Sequence, residues 1–231
     1  MNATAHWASM LRDATTWVLP VIFAVTFHEA AHGFVAYRFG DDTAKRSGRM
    51  TLNPLKHVDP FGTVLLPALL YMASGFLFGY AKPVPVNFGR LHHPRRDMVW
   101  VALAGPAMNV LLAIISSLLF YTVDWIPQGA AQWAAANLVH SIQLNAILCV
   151  FNMLPFPPLD GGRVAVGLLP DFLARPLARV EPYGMMIVMG IFVVSYIGAS
   201  SGSGFNLLGW LIGAPADALI GFVLMVTGQG S

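Results

Sequence analysis

Charged positions in this chain fall in clusters, and the clusters leave long apolar runs between them. No Asp, Glu, Lys or Arg occurs in 14–28, 60–81, 98–123, 125–159, 182–216 or after Asp217. A helix needs about 20 apolar residues to cross the hydrocarbon of a bilayer. The runs therefore predict spans at 15–38, 99–123, 133–154, 184–199 and 206–226, with a further apolar stretch at 61–80. The fourth is short for a span, and only the Ser/Gly run 199–204 separates it from the fifth.

Composition narrows the class. Of 231 residues, 56% are hydrophobic and 10% charged, where a soluble domain carries roughly 25% charged residues. So few charges cannot solvate a domain of this size, which excludes a soluble enzyme and a disordered chain. A net charge of +2 leaves no basic face for phosphates, so no nucleic-acid partner is expected. One cysteine, Cys149, excludes a disulfide framework and a thiolate metal cluster. Residues 1–10 carry no Lys or Arg and no cleavage pattern follows, so no signal peptide is expected. There is no internal repeat. The expectation is an all-α polytopic membrane protein, a single domain over 1–231 embedded in the lipid bilayer. Its motif-bearing core covers about 15–165 and its C-terminal helices about 184–226.

Lys and Arg set the orientation. They concentrate in 45–56 (Lys45, Arg46, Arg49, Lys56), in 82–96 (Lys82, Arg90, Arg95, Arg96) and in 163–179 (Arg163, Arg175, Arg179), while 124–132 and 199–205 carry none. Basic loops stay cytoplasmic. If 61–80 crossed the bilayer, the first two basic loops would lie on opposite faces. If it dips in and returns, both are cytoplasmic. Pro67 with Gly62, Gly75 and Gly79 suits a broken element buried against protein. Five spans plus one re-entrant segment are thus expected, with the N-terminus outside and the C-terminus inside. Six plain spans are the alternative.

Chemistry enters in the first span, where His28-Glu29-Ala30-Ala31-His32 is an HExxH sequence. Positions i and i+4 share one helix face, so both imidazoles can reach a single zinc. Glu29, offset by one residue, is near enough to take a proton from a water at the metal. With seven His and two Glu in the chain, chance would give such a motif about 0.002 times. A Glu and two His inside a span are costly and mark function.

A catalytic zinc generally takes three protein ligands and keeps one open position. Asp160, the sole carboxylate between Asp124 and Asp171, is the leading third candidate. It follows the helix-breaking prolines 155, 157 and 158 and precedes Gly161-Gly162. His57, the pair His92-His93 and His140 compete for that role, although His140, alone on an apolar helix, reads better as an interhelical hydrogen-bonder. Met185, Met186, Met189 and Phe192 read as lipid-facing or packing residues. Gly190, Gly198, Gly202 and Gly204 read as sites of close helix packing or loop.

The combination resembles a known family. HEAAH in an early span, Leu103-Ala104-Gly105-Pro106 with Asn109 in the next, and Asn152-x-x-Pro155-x(4)-Asp160-Gly161 after it are similar to the site-2 proteases, intramembrane zinc metalloproteases. The stretches 48–62 and 81–87 resemble its short bacterial and archaeal members, which lack a PDZ domain. The resemblance implies one zinc per chain on His28, His32 and Asp160, with Glu29 catalytic and Asn152 assisting near the scissile carbonyl. It also implies transmembrane helices of other proteins as substrates and the cell membrane of a prokaryote as location, with the site towards the cytosol. It leaves the oligomeric state open. A span before the HExxH helix, present in other members, is not expected here.

Substrate helices hide their peptide bonds in i→i−4 hydrogen bonds, so a substrate must unwind. Short extended segments in the loops, at 51–53 or 84–87, offer an edge for the unwound strand. The alternative function is a membrane metal-binding or ion-transport protein using the same residues. Transport favours repeated halves, and this chain has none.

Overall fold

The computed structural model describes residues 3–65, 82–201 and 206–230. Its helices are α1 (Ala3–Arg38), a short α2 (Thr43–Arg46), α3 (Pro94–Leu119), α4 (Gln128–Asn152), α5 (Asp160–Leu168), α6 (Asp171–Arg179), α7 (Gly184–Ser200) and α8 (Ala214–Val226). No strand forms among the described residues. Five stretches are long and apolar enough to cross a membrane: Asp13–Arg38, Pro94–Trp125, Gln128–Asn152, Asp171–Gly198 and Gly209–Val226. The protein is an all-α polytopic membrane protein. The predicted spans are all present, and the fourth is lengthened at its start by the amphipathic α6.

Local chemistry sets the ends. α1 closes with the N–H of Gly40 on the carbonyl of Tyr37 and that of Asp41 on Ala36, the pattern in which a left-handed glycine satisfies the last carbonyls. Gly40 has φ of 104°. α4 stops at Asn152 ahead of the three prolines, which cannot continue an α-helix. In 82–87, Pro83 and Pro85 bias the residues before them to extended backbone, and this segment is neither helix nor strand.

All three basic stretches gather at one end of the bundle. Arg90 pairs with Asp42 at 2.9 Å, Arg95 with Asp171 at 2.6 Å and Arg163 with Glu181 at 3.3 Å. The N–H of Lys82 donates to the carbonyl of His57 at 3.0 Å, and Arg49 donates to that of Lys82 at 2.7 Å. The chain therefore leaves and returns at the same end on either side of 61–80. The path of that expected re-entrant segment itself, from residue 66 to 81, lies outside the described residues. A small core of Ala36, Leu91 and Val101, with Phe39, Val86 and Phe88 against it, closes this basic end.

The C-terminal helices depart from expectation. Thr227 Oγ1 and Ser117 Oγ are 2.7 Å apart, Tyr121 Oη donates to the carbonyl of Thr227, and Gln229 donates to that of Ser117. Residues 117–121 end α3 at the far side, away from Pro94. α7, by contrast, starts at the basic end, where Gly184 abuts Pro157 and Pro158, and Phe192 lies beside Phe151. The N–H of Leu208 donates to Ser195 Oγ, so the chain turns back along α7 before α8 begins. The last described residues therefore pack against the end of α3 that lies opposite Pro94, not at the basic end where the C-terminus is expected. Hydropathy measured the lengths of these helices correctly but carries no information on their neighbours. Gly190 faces open space instead of a close helix contact.

Candidate metal centre

His28 and His32 come from one face of α1, and Asp160 from the first residue of α5. Their ligand atoms converge. His28 Nε2 lies 3.1 Å from His32 Nε2, and Asp160 Oδ2 lies 3.2 Å from the first and 3.4 Å from the second. Ligands on a tetrahedral zinc with bonds of about 2.0–2.1 Å stand about 3.3–3.4 Å apart, so the spacing suits that ion.

Protonation makes the case stronger. His32 Nδ1 is 2.7 Å from the carbonyl of Val101, and His28 Nδ1 is 2.6 Å from Asn109 Oδ1. Both partners accept, so both rings carry their proton on Nδ1 and turn the Nε2 lone pair inward. Second-side contacts of this kind are what metal-bound histidines use to fix their tautomer. Oδ2 of Asp160 has no hydrogen-bond partner and is buried. Three acceptors facing one another at 3.1–3.4 Å repel unless a cation sits between them.

There is room for one. A Cβ at Gly105 of α3 would lie 2.5 Å from His32 Nε2 and 2.6 Å from His28 Nε2. Only glycine leaves that space open. The residues present fit a zinc ion: a harder and a softer donor type in the number that leaves one position free.

A cavity of about 360 Å³ opens onto the three ligands and is also lined by Glu29, Val84, Phe151, Asn152 and Met185. The Glu29 carboxylate accepts from the N–H of Val84. Asn152 sits at the end of α4 with its amide donating back to the Leu148 carbonyl at 3.0 Å, which leaves its second N–H uncommitted to that bond. The competing histidines are elsewhere. Buried His57 bonds the carbonyl of Thr51, the His92 ring packs on Gly40, and His93 stands just before α3 with its backbone N–H donating to Asp97. His140 bonds Thr16 Oγ1 at 3.0 Å and stacks on Trp17, the interhelical role expected of it. Met185 and Val188 also line the cavity, and the sequence gives no sign of it, because apolar side chains carry no chemical signal and Met185 reads there as a packing or lipid-facing residue.

Comparison with known proteins places this architecture. The sequence profile of peptidase family M50 matches residues 16–125 and 123–195. Three relatives carry the name "Putative zinc metalloprotease". YwhC of Bacillus subtilis (strain 168) is 42% identical over 182 residues, covering 76% of this chain and 79% of its own. Rip2 of Mycolicibacterium smegmatis is 34% identical over 175 residues, covering 74% and 64%. MJ0611 of Methanocaldococcus jannaschii is 31% identical over 142 residues, covering 60% and 62%. No solved structure matches the chain. The chain belongs to peptidase family M50, the site-2 protease family of zinc metalloproteases.

Proposed function

We propose that this protein hydrolyses peptide bonds within or beside the transmembrane segments of other membrane proteins, with one zinc held by His28, His32 and Asp160. The observation that carries the reading is the convergence of three inward lone pairs on a cavity shared with Glu29. When bound, zinc supplies Lewis acidity, polarising the scissile carbonyl and acidifying water. The chain supplies the rest. Glu29 takes the proton from the attacking water and passes it to the leaving amine. The Asn152 amide donates to the oxygen on which charge develops.

His28 lies about ten residues, or roughly 15 Å, before the end of α1 at Arg38. With the basic end in the cytosol, cleavage falls in the cytosolic half of the substrate's span, in the cell membrane of a prokaryote. Of the two candidate edges for an unwound strand, 84–87 is favoured, since Pro83, Val84 and Val86 line the cavity and 51–53 does not. The test is incubation of the purified protein with a model transmembrane peptide, with and without chelator. Cleavage that chelation stops and zinc restores is the expected result. Cleavage indifferent to chelator removes the metal from the mechanism.

A further inference from the structure

Asn109 on α3 and Asn145 on α4 meet in the interior at 0% and 1% exposure. We propose that Asn145 is a positioning residue for His28: acting through Asn109, it fixes which ring nitrogen of that ligand carries the proton. The proposal rests on the metal-centre reading above.

The network starts from an atom whose role cannot change. The backbone carbonyl of Ser141 can only accept, so the Asn145 atom 2.8 Å from it is the amide nitrogen. That leaves Asn145 Oδ1 facing Asn109 at 2.8 Å, and an oxygen there requires Asn109 to present Nδ2. The same nitrogen lies 3.5 Å from the carbonyl of Ala24, which agrees. Asn109 Oδ1 is then the atom beside His28 Nδ1, and that nitrogen must donate. The His28 lone pair is thereby committed to Nε2, towards His32 and Asp160.

The two ends of a side-chain amide are nearly the same size. With an apolar group at 145, nothing of comparable strength opposes a flip of Asn109. The flipped amide offers an N–H to His28 Nδ1, draws the ring proton to Nε2, and aims that proton at the metal position. His32 needs no relay, because its Nδ1 meets the carbonyl of Val101 directly. The polar path continues from Ser141 Oγ to Ser116 Oγ at 2.7 Å. The principal anchor of Asn145 is nevertheless the Ser141 backbone, which supplies an internal control.

The experiment measures zinc affinity by competition with a chromophoric chelator, and the visible bands of the cobalt-substituted protein, in nanodiscs. Asn145→Leu should weaken zinc by about tenfold, the lower end of the range for outer-shell partners, and shift the cobalt bands. Asn145→Asp, whose neutral carboxyl accepts from Asn109 and donates to Ser141, should return both readouts to near wild type. Ser141→Ala, which keeps the backbone carbonyl, should leave them unchanged. Asn145→Leu with affinity within about twofold of wild type overturns the proposal. So does an equal loss in Ser141→Ala, which would mark general packing. Should Asn145→Leu not fold, ring ¹⁵N shifts of the metal-free wild-type protein decide: a proton on His28 Nδ1 supports the relay, and one on Nε2 overturns it. Wild-type protein that binds no zinc fails at the earlier step, the metal-centre reading, and the relay falls with it.

Discussion

The carboxylate of Glu29 accepts a hydrogen bond from the backbone N–H of Val84 at 2.7 Å. Val84 stands between Pro83 and Pro85, which have no N–H to give, so the one donor of that tripeptide is spent on the residue beside the first metal ligand. Further along α1's path, Asp41 does the same at the other end of the segment, where its Oδ2 accepts from the N–H of Asn87 at 2.7 Å. Base and candidate substrate edge are therefore held in one register.

That bond shapes how the base should be tested. In Glu29→Gln the amide oxygen can still accept from Val84, so the segment stays in place while the base is lost. Zinc should remain at wild-type level and cleavage should fall by about 100-fold or more, the scale of general base catalysis. Asn152→Ala should likewise retain zinc and slow turnover by roughly 10- to 1,000-fold. Wild-type rates in Glu29→Gln would remove Glu29 from the role of general base.

Metal content separates the three converging groups from the other histidines. Purified protein should hold about one zinc per chain, given three ligands and one open position. His28→Ala and Asp160→Ala should each lower occupancy sharply, and His57→Ala, whose ring bonds the Thr51 carbonyl away from the site, should not. The assignment of Asp160 fails if its alanine variant stays fully loaded in elemental analysis.

Gly105→Ala tests the space itself. An alanine in a helix interior is favoured over glycine by about 1 kcal/mol, so on propensity alone the variant gains. Its Cβ, however, would fall 2.5 Å from His32 Nε2, against rings already pinned through their Nδ1 atoms. Zinc affinity should drop by about 100-fold, the upper end of what outer-shell changes cause. Competition with a chelator reads it. Unchanged affinity would mean that the ion sits elsewhere.

The course of the last helices can be checked by labelling. Single cysteines at Thr43, Asn87 and Gln229, in a Cys149→Ser background, are exposed to an impermeant thiol reagent in right-side-out vesicles. Gln229→Cys should react at once, because its side chain bonds Ser117 at the far end. The other two should react only after the membrane is opened. If Gln229→Cys behaves like Thr43→Cys, the placing of the last residues beside the far end of α3 is wrong.

The site was legible where chemistry repeats at helical spacing. His28 and His32 declare themselves by separation alone, and Asp160 by being the lone carboxylate after a proline-broken helix. The spans were legible because charge is so costly in lipid. What stayed hidden had no such mark. An apolar helix such as α7 advertises its length but not its partner, so its turn back along Ser195 and Leu208 could not be read. Asn145 is one polar residue in a span, and its tie to His28 exists only once α1, α3 and α4 are packed. Val84 contributes a backbone atom, which no residue type encodes.

Much of this machinery is gauged from a single rod. His28, Glu29, His32 and, just past its last turn, Asp41 all belong to α1 or its cap, and between them they fix two of the three ligands, the base and both ends of the extended segment. Bilayers differ in thickness, and bundles answer by tilting their helices against one another. A site assembled from equal contributions of several helices would lose its alignment under such tilts. Here the spacing from base to edge travels with α1, so only Asp160, on its short helix behind the prolines, has to keep pace.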